Sequence, residues 1–174
     1  MIFWTDYGLI VRVQNMDERK YIVDILSKQN GKWRGVYRGK WTPMLGTYVY
    51  AEWKARLPEH IGSWKIETTH ASVGISLWNN SLHLMTLLTI CELCKMIPER
   101  QQCDLYDLFV NCLSNIEKNA IKVWIEWENA IRKTFMHQES KNLQEIMKDI
   151  YFGKCEFRPQ LIQMIYKKNL YRNS

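Results

Sequence analysis

Tyr7-Gly-Leu-Ile-Val-Arg-Val13 decides how the first part of this chain is read. Large apolar residues recur at every second position, the period of a β-strand, and place Tyr7, Leu9, Val11 and Val13 on one expected face. Downstream, Lys20 to Leu26 is a second β-rich run, and Gln29-Asn-Gly31 supplies a turn because Asn and Gly tolerate positive φ. Lys32 to Arg38 is a third strand, with Trp33, Gly35 and Tyr37 on one side and Lys32, Arg34, Val36 and Arg38 on the other. After a loop over Trp41-Thr-Pro-Met-Leu-Gly46, a fourth strand runs from Thr47 to Arg56. It sends Val49, Ala51, Trp53 and Ala55 one way and Tyr50 and Lys54 the other. Gly62 to Thr69 is the fifth.

Five short strands in so little chain imply a sheet that closes on itself to remove its edges. The five-stranded barrel of this economy is the OB-fold, which binds single strands across its second and third strands. The character then changes. Residues 71–80 read as a linker, and Ser81 is the expected cap of a helix ending before Pro98. That helix is apolar nearly all round (Leu82, Leu84, Met85, Leu87, Leu88, Ile90, Leu93), so it is expected to be buried on most sides. Asp104 is the expected start of a second helix to about Asn115, and Asn119 of a third to Phe135. Weaker helical stretches cover Lys141 to Tyr151 and Pro159 to Asn169. The expected fold class is therefore α+β, with an OB-fold barrel over residues 1–70 and a helical domain over 81–174.

Charge narrows the partners. The formal net charge is +6. Residues 1–69 hold 11 Lys and Arg against 7 Asp and Glu, and no acid falls between Asp24 and Glu52. That interval contains Lys28, Lys32, Arg34, Arg38 and Lys40, a field of one sign that suits a polyanion. A basic tail (Lys154, Arg158, Lys167, Lys168, Arg172) reads first as a solvated chain end and second as another DNA contact. No secretion signal is legible at Met1-Ile-Phe-Trp-Thr-Asp6. The most apolar stretch, Leu82 to Ile97, carries His83, Glu92 and Lys95 and is too short to span a bilayer. Cytoplasmic location, free thiols and no membrane association are the expectation.

The candidate chemistry is non-catalytic. Cys91-Glu-Leu-Cys94 has the gap of a zinc pair, but it sits inside the most apolar helix, where thiols serve as core. Cys103 and Cys112 do not form a matching second pair. His60, His70, His83 and His137 share no spacing, Glu126 and Glu128 diverge on a helix, and neither a phosphate loop nor a nucleophile elbow is present. No metal, no cofactor and no enzyme activity are expected. The most informative constellation is Lys32-Trp-Arg-Gly-Val-Tyr-Arg-Gly-Lys-Trp41, in which cations and rings interleave. Trp33 and Tyr37 are expected to face the barrel core and leave the charges outside.

Several stretches resemble one family. Trp4-Thr-Asp-Tyr-Gly-Leu-Ile-Val11, Gly31 to Gly39 with its Arg38-Gly39 pair, and Trp53-Lys-Ala-Arg-Leu-Pro-Glu-His-Ile-Gly-Ser-Trp64 look like the RecO recombination mediators. The last is the most specific and resembles a W-x-A-R-L-x-E-H-L-G segment of proteobacterial members. Ile97-Pro-Glu-Arg100 and Trp127-Glu128 extend the similarity, which covers roughly residues 3–135. The resemblance implies a DNA repair factor with an OB-fold followed by helices. It further implies binding of single- and double-stranded DNA, annealing of complementary strands, and work with RecR on DNA coated by single-strand-binding protein (SSB) to help load RecA. The segment from Met136 onward shows no match. The four-cysteine zinc module of some members has no counterpart, since Cys155 alone follows Cys112, and the chain reads as a shortened member.

The residues expected to hold DNA phosphates are Lys32, Arg34, Arg38, Lys40, Lys54 and Arg56. The alternative is a protein-interaction adaptor whose barrel is a scaffold and whose helical domain docks a partner.

Overall fold

The computed structural model describes residues 1–57, 59–149, 152 and 155–170, with side chains given through residue 167. Five strands come first: β1 (Ile2–Asp17), β2 (Lys20–Ser27), β3 (Gly31–Arg38), β4 (Tyr48–Ala55) and β5 (Gly62–Thr68). They close into a barrel in the order β1-β2-β3-β5-β4. Every pairing is antiparallel except β3 with β5. This is the OB-type barrel followed by helices that the alternation implies. Gly31 closes the β2–β3 turn at φ 76°, a conformation that side chains with a Cβ rarely adopt.

The barrel interior holds Ile10, Val23, Ile25, Tyr37, Val49, Ala51, Trp53, Trp64 and Ile66, with Trp4, Val13 and Trp33 packed against them. Trp53 is fully buried, and its Nε1 donates to the carbonyl of Arg34 at 3.0 Å. Trp64 Nε1 donates to the Val23 carbonyl at 3.0 Å. Trp53 and Trp64 thus fill core volume while the one donor of each is satisfied.

One expectation for β1 is corrected. Tyr7 and Val13 do not share a face: Tyr7 is exposed, whereas Val13 packs inside with Ile10. The register with β2 shifts between Ile10 and Arg12. One extra residue in a strand moves every later side chain to the opposite face.

The chain divides into two compact units, Met1–Ser76 with Pro98–Asp107 and Leu77–Ile97 with Leu108–Ser174. The first includes a single helical turn, α1 (Val73–Ser76), within the stretch that reads as a linker. It also takes back Pro98–Asp107, a segment that by sequence belongs with the helices. The Arg100 amide donates to the Lys32 carbonyl at 2.8 Å, and Glu99 bridges Lys32 as a short parallel strand. This strap lies beside the start of β3, where β5 pairs only from Gly35 onward.

In the second unit, α2 (Ser81–Leu93) is followed by one 3₁₀ turn, Cys94–Met96. Its cap is Asn80 rather than Ser81: Asn80 Oδ1 accepts from Leu82 N and His83 N at 3.1 and 3.2 Å. α3 (Tyr106–Met136) breaks at Asn119, with φ −156° and ψ 80°. Asn119 Oδ1 then accepts from Lys122 N at 3.1 Å, so the two helices expected on either side of it are both present. α4 (Leu143–Lys148) opens with a capping box between Asn142 and Glu145. α5 is Phe157–Leu170. Tyr151, Lys154 and Arg172 lie outside the described residues, as does the side chain of Lys168.

Candidate nucleic-acid interface

The six cations expected to meet DNA fall into two groups. Lys32 is 3% exposed, beneath the strap. Arg34 gives Nε and Nη2 to the two oxygens of Asp24 at 2.8 and 2.9 Å, and Nη1 reaches Glu99 Oε1 at 3.0 Å. The hydrogen bonding it donates to Asp24 is the largest influence on the guanidinium and holds it more firmly protonated, against a smaller opposing effect of burial. Burial thus withdraws Lys32 from the surface, and two carboxylates engage Arg34. The interval without acids misleads here, because Arg34 finds its partners at the edge of that interval and in the distant strap.

Arg38, Lys40, Lys54 and Arg56 are exposed. Arg38, Lys54 and Arg56 line one groove of about 540 Å³ with Lys20, His60, Ile61, Gly62 and Ser63. Strand pairing explains the convergence. Lys20 is the Cα partner of Arg38 across β2–β3, and residues directly opposite in an antiparallel pair project to the same side. Lys54 pairs with Ser63, and Ser63 with Val36, two residues before Arg38 on the same face. Lys20 escapes a reading that looks for clusters along the chain, yet the hairpin turn at Gly31 sets its register opposite Arg38. Lys40 sits in the adjoining hollow with Arg38 and Lys20, where Asp17 and Glu18 offset part of its field. Among the described residues, the salt bridges of the barrel fall on Arg34 and Lys65 rather than on the groove cations. The groove thus gathers four cations from β2, β3 and the β4 end.

No protein-family model matches the chain. Curated relatives do. A DNA repair protein RecO from Rhodospirillum rubrum is 32% identical over 138 residues, covering 75% of this chain and 54% of the relative. One from Rhodopseudomonas palustris strain BisB5 is 31% identical over 122 residues, covering 66% and 48%. One from Wolbachia pipientis is 28% identical over 124 residues, covering 67% and 50%. The chain belongs to the RecO family. It spans about half the length of the curated RecO relatives it matches.

The residues that carry the RecO resemblance are largely architectural. In Trp53 to Trp64 both indoles are core, and a Cβ on Gly62 would collide with the Trp53 ring. A Cβ on Gly39 would strike the Tyr37 hydroxyl, so the Arg38-Gly39 pair couples a surface cation to a steric necessity. Of Ile97-Pro-Glu-Arg100, the last three residues open the strap. Glu99 holds Arg34, and Arg100 donates to the His60 carbonyl at 2.9 Å and lies 5.5 Å from the Trp33 ring centroid. Trp127 is core, and Glu128 accepts from Trp124 Nε1 at 2.9 Å.

Cys91 and Cys94 are buried in and just after α2, and burial pushes the Cys91 thiol well above its ordinary range. A protonated, buried thiol behaves as a small apolar side chain. Among the described residues no group of three His, Cys, Asp or Glu is placed to hold a metal ion, and no helix is long and apolar enough to cross a membrane.

Proposed function

We propose that this chain acts in DNA repair as a RecO-type mediator that grips DNA by its phosphates along the groove of Lys20, Arg38, Lys54 and Arg56. The observation that supports this reading best is the convergence of these four cations from separate strands on one open groove. Clustered Lys and Arg release condensed counterions from a nucleic acid. Phosphate contacts carry no base code, so binding is weakly selective for sequence. Annealing follows from the same surface: a cationic groove lowers the repulsion between two strands held close together. The RecO relatives are named for DNA repair, and the resemblance adds RecR and SSB as partners and RecA as the indirect beneficiary. Lys40 contributes at the margin.

The test is binding and annealing of unrelated DNA sequences across a salt series. Arg38→Ala with Lys54→Ala is expected to weaken all sequences alike. It should flatten the salt dependence by about one unit of slope for each phosphate no longer neutralised and slow annealing in parallel. Exposed charges contribute little to stability, so the variant stays folded. A folded double variant that binds and anneals like the parent would remove the groove as the DNA surface. The adaptor reading, or a site at the basic tail around the exposed Lys167, would then take its place.

A further inference from the structure

The groove runs into a row of uncovered rings. On the outer face of β1, Phe3 and Tyr7 are 57% and 55% exposed, and on β4 Tyr50 is 37% exposed. Tyr7 is the Cα partner of Tyr50, and their ring centroids lie 5.2 Å apart at 60°. Phe3 is the Cα partner of Lys54, which itself lines the groove. Two aromatic stations therefore sit four residues apart, about 13 Å along the strand, with a phosphate-binding cation beside one of them. The same face carries Thr5, Glu52, Lys65 and Glu67, so it is neither strongly charged nor broadly apolar. Meanwhile the start of β3, on the face that OB-folds commonly offer to single strands, is taken up by the strap and the Asp24–Arg34–Glu99 ion pairs.

From this juxtaposition we infer that Phe3 and the Tyr7–Tyr50 pair form a base-stacking platform that takes unpaired nucleotides of a strand held in the groove. The inference rests on the phosphate-binding reading and adds what that reading lacks, a means of preferring single strands. In a duplex the flat faces of the bases are already stacked on one another. In a single strand they are free to lie on an aromatic ring, and stacking is tolerant of sequence because every base has such a face.

The experiment compares a thymidine oligonucleotide with an abasic oligonucleotide of the same length, so that phosphate number is constant and only the bases differ. The parent is expected to prefer the base-bearing strand between about five- and a hundredfold for each base stacked. Tyr7→Thr with Tyr50→Thr should shrink that preference while leaving abasic affinity and the salt slope as in the parent. Thr is chosen because it suits a strand. Phe3→Thr alone should produce a partial loss even if the double variant folds poorly. Tyr50→Phe, which keeps the ring, should retain the preference. Equal affinity of the parent for both oligonucleotides would overturn the platform and leave the phosphate reading standing, as would a preference undiminished in the Thr variants. Failure of the parent to bind either strand in a salt-dependent way would overturn both.

Discussion

Arg34 spends its guanidinium on Asp24 and Glu99, while Arg38, further along β3, faces the groove. The two arginines should therefore separate in experiment. Asp24 is buried, and removing Arg34 leaves its carboxylate without the fork that satisfies it. Such a loss costs several kcal/mol for a fully buried pair. Because a third of the Arg34 side chain is exposed, the expected cost of Arg34→Ala is about 1–3 kcal/mol. Arg38→Ala should stay within about 0.5 kcal/mol of the parent. Urea titrations of the two variants test this, and equal midpoints would mean that the Asp24 pair contributes nothing. Trp53→Ala should cost about 3–5 kcal/mol, as large aromatic truncations in a core do, and an unaltered melting curve would contradict its burial. The placement of Trp53, Trp33 and Tyr37 is legible from alternation alone. That of Arg34 is legible only with hairpin register: the turn ending at Gly31 pairs Arg34 with Asp24 just as it pairs Arg38 with Lys20. Lys32 is beyond either argument, because the segment that covers it lies far along the chain.

Among the elements, the errors of a sequence reading have local causes. In β1 the period of two is real, but the irregularity between Ile10 and Arg12 reverses it halfway, and no residue type in Ile10-Val-Arg12 announces an extra position. At the start of α2, Asn80 and Ser81 are both good caps by type. The backbone chooses Asn80, whose φ of −127° and ψ of 103° are extended, while Ser81 already belongs to the helix. Asn80→Ala should therefore cost about 1 kcal/mol, and Asn80→Asp should retain the capped state, since a carboxylate also suits the positive end of the helix dipole. Ser81→Ala should change stability by no more than about 0.5 kcal/mol. Thermal melts of the three variants discriminate the two caps, and a larger loss at Ser81 than at Asn80 would reverse the assignment. The break at Asn119 is the opposite case. A residue with strong capping chemistry, flanked by two helical patterns, marks it correctly from sequence.

Taken as a whole molecule, each unit is secured by groups far apart in the chain, the strap on β3 in one and an ion cluster in the other. Glu128 is fully buried and receives Arg158 through Nε and Nη2, both at 2.8 Å, and Arg132 Nη2 at 2.7 Å. Arg158 also donates to the carbonyls of Ile146 and Asp149, so one carboxylate ties α3 to α5 and to the end of α4. Glu128→Gln would leave two guanidiniums short of their counter-charge, an expected loss of about 3–5 kcal/mol. Two further carboxylates make this unit sensitive to acid. Burial by itself would raise Asp149, but the hydrogen bond from Arg132 and the charges of Arg132, Arg158 and Lys141 outweigh it and hold the carboxyl below its ordinary range. Burial likewise opposes Glu92, and Lys95 with the amides of Phe157 and Glu156 prevails and lowers it. A carboxyl lowered in the folded state binds its proton more readily when unfolded. Its contribution is therefore complete above the unfolded value, about 4, and is lost as pH falls through the lowered folded value. Helicity followed through urea titrations should show a midpoint that is level near neutrality and declines below about pH 4. Asp149 is partly exposed, so solvent screening limits its share, and Asp149→Asn should flatten the decline without abolishing it. A variant whose midpoint falls with pH as steeply as the parent's would show that Asp149 is not among the groups that acid releases.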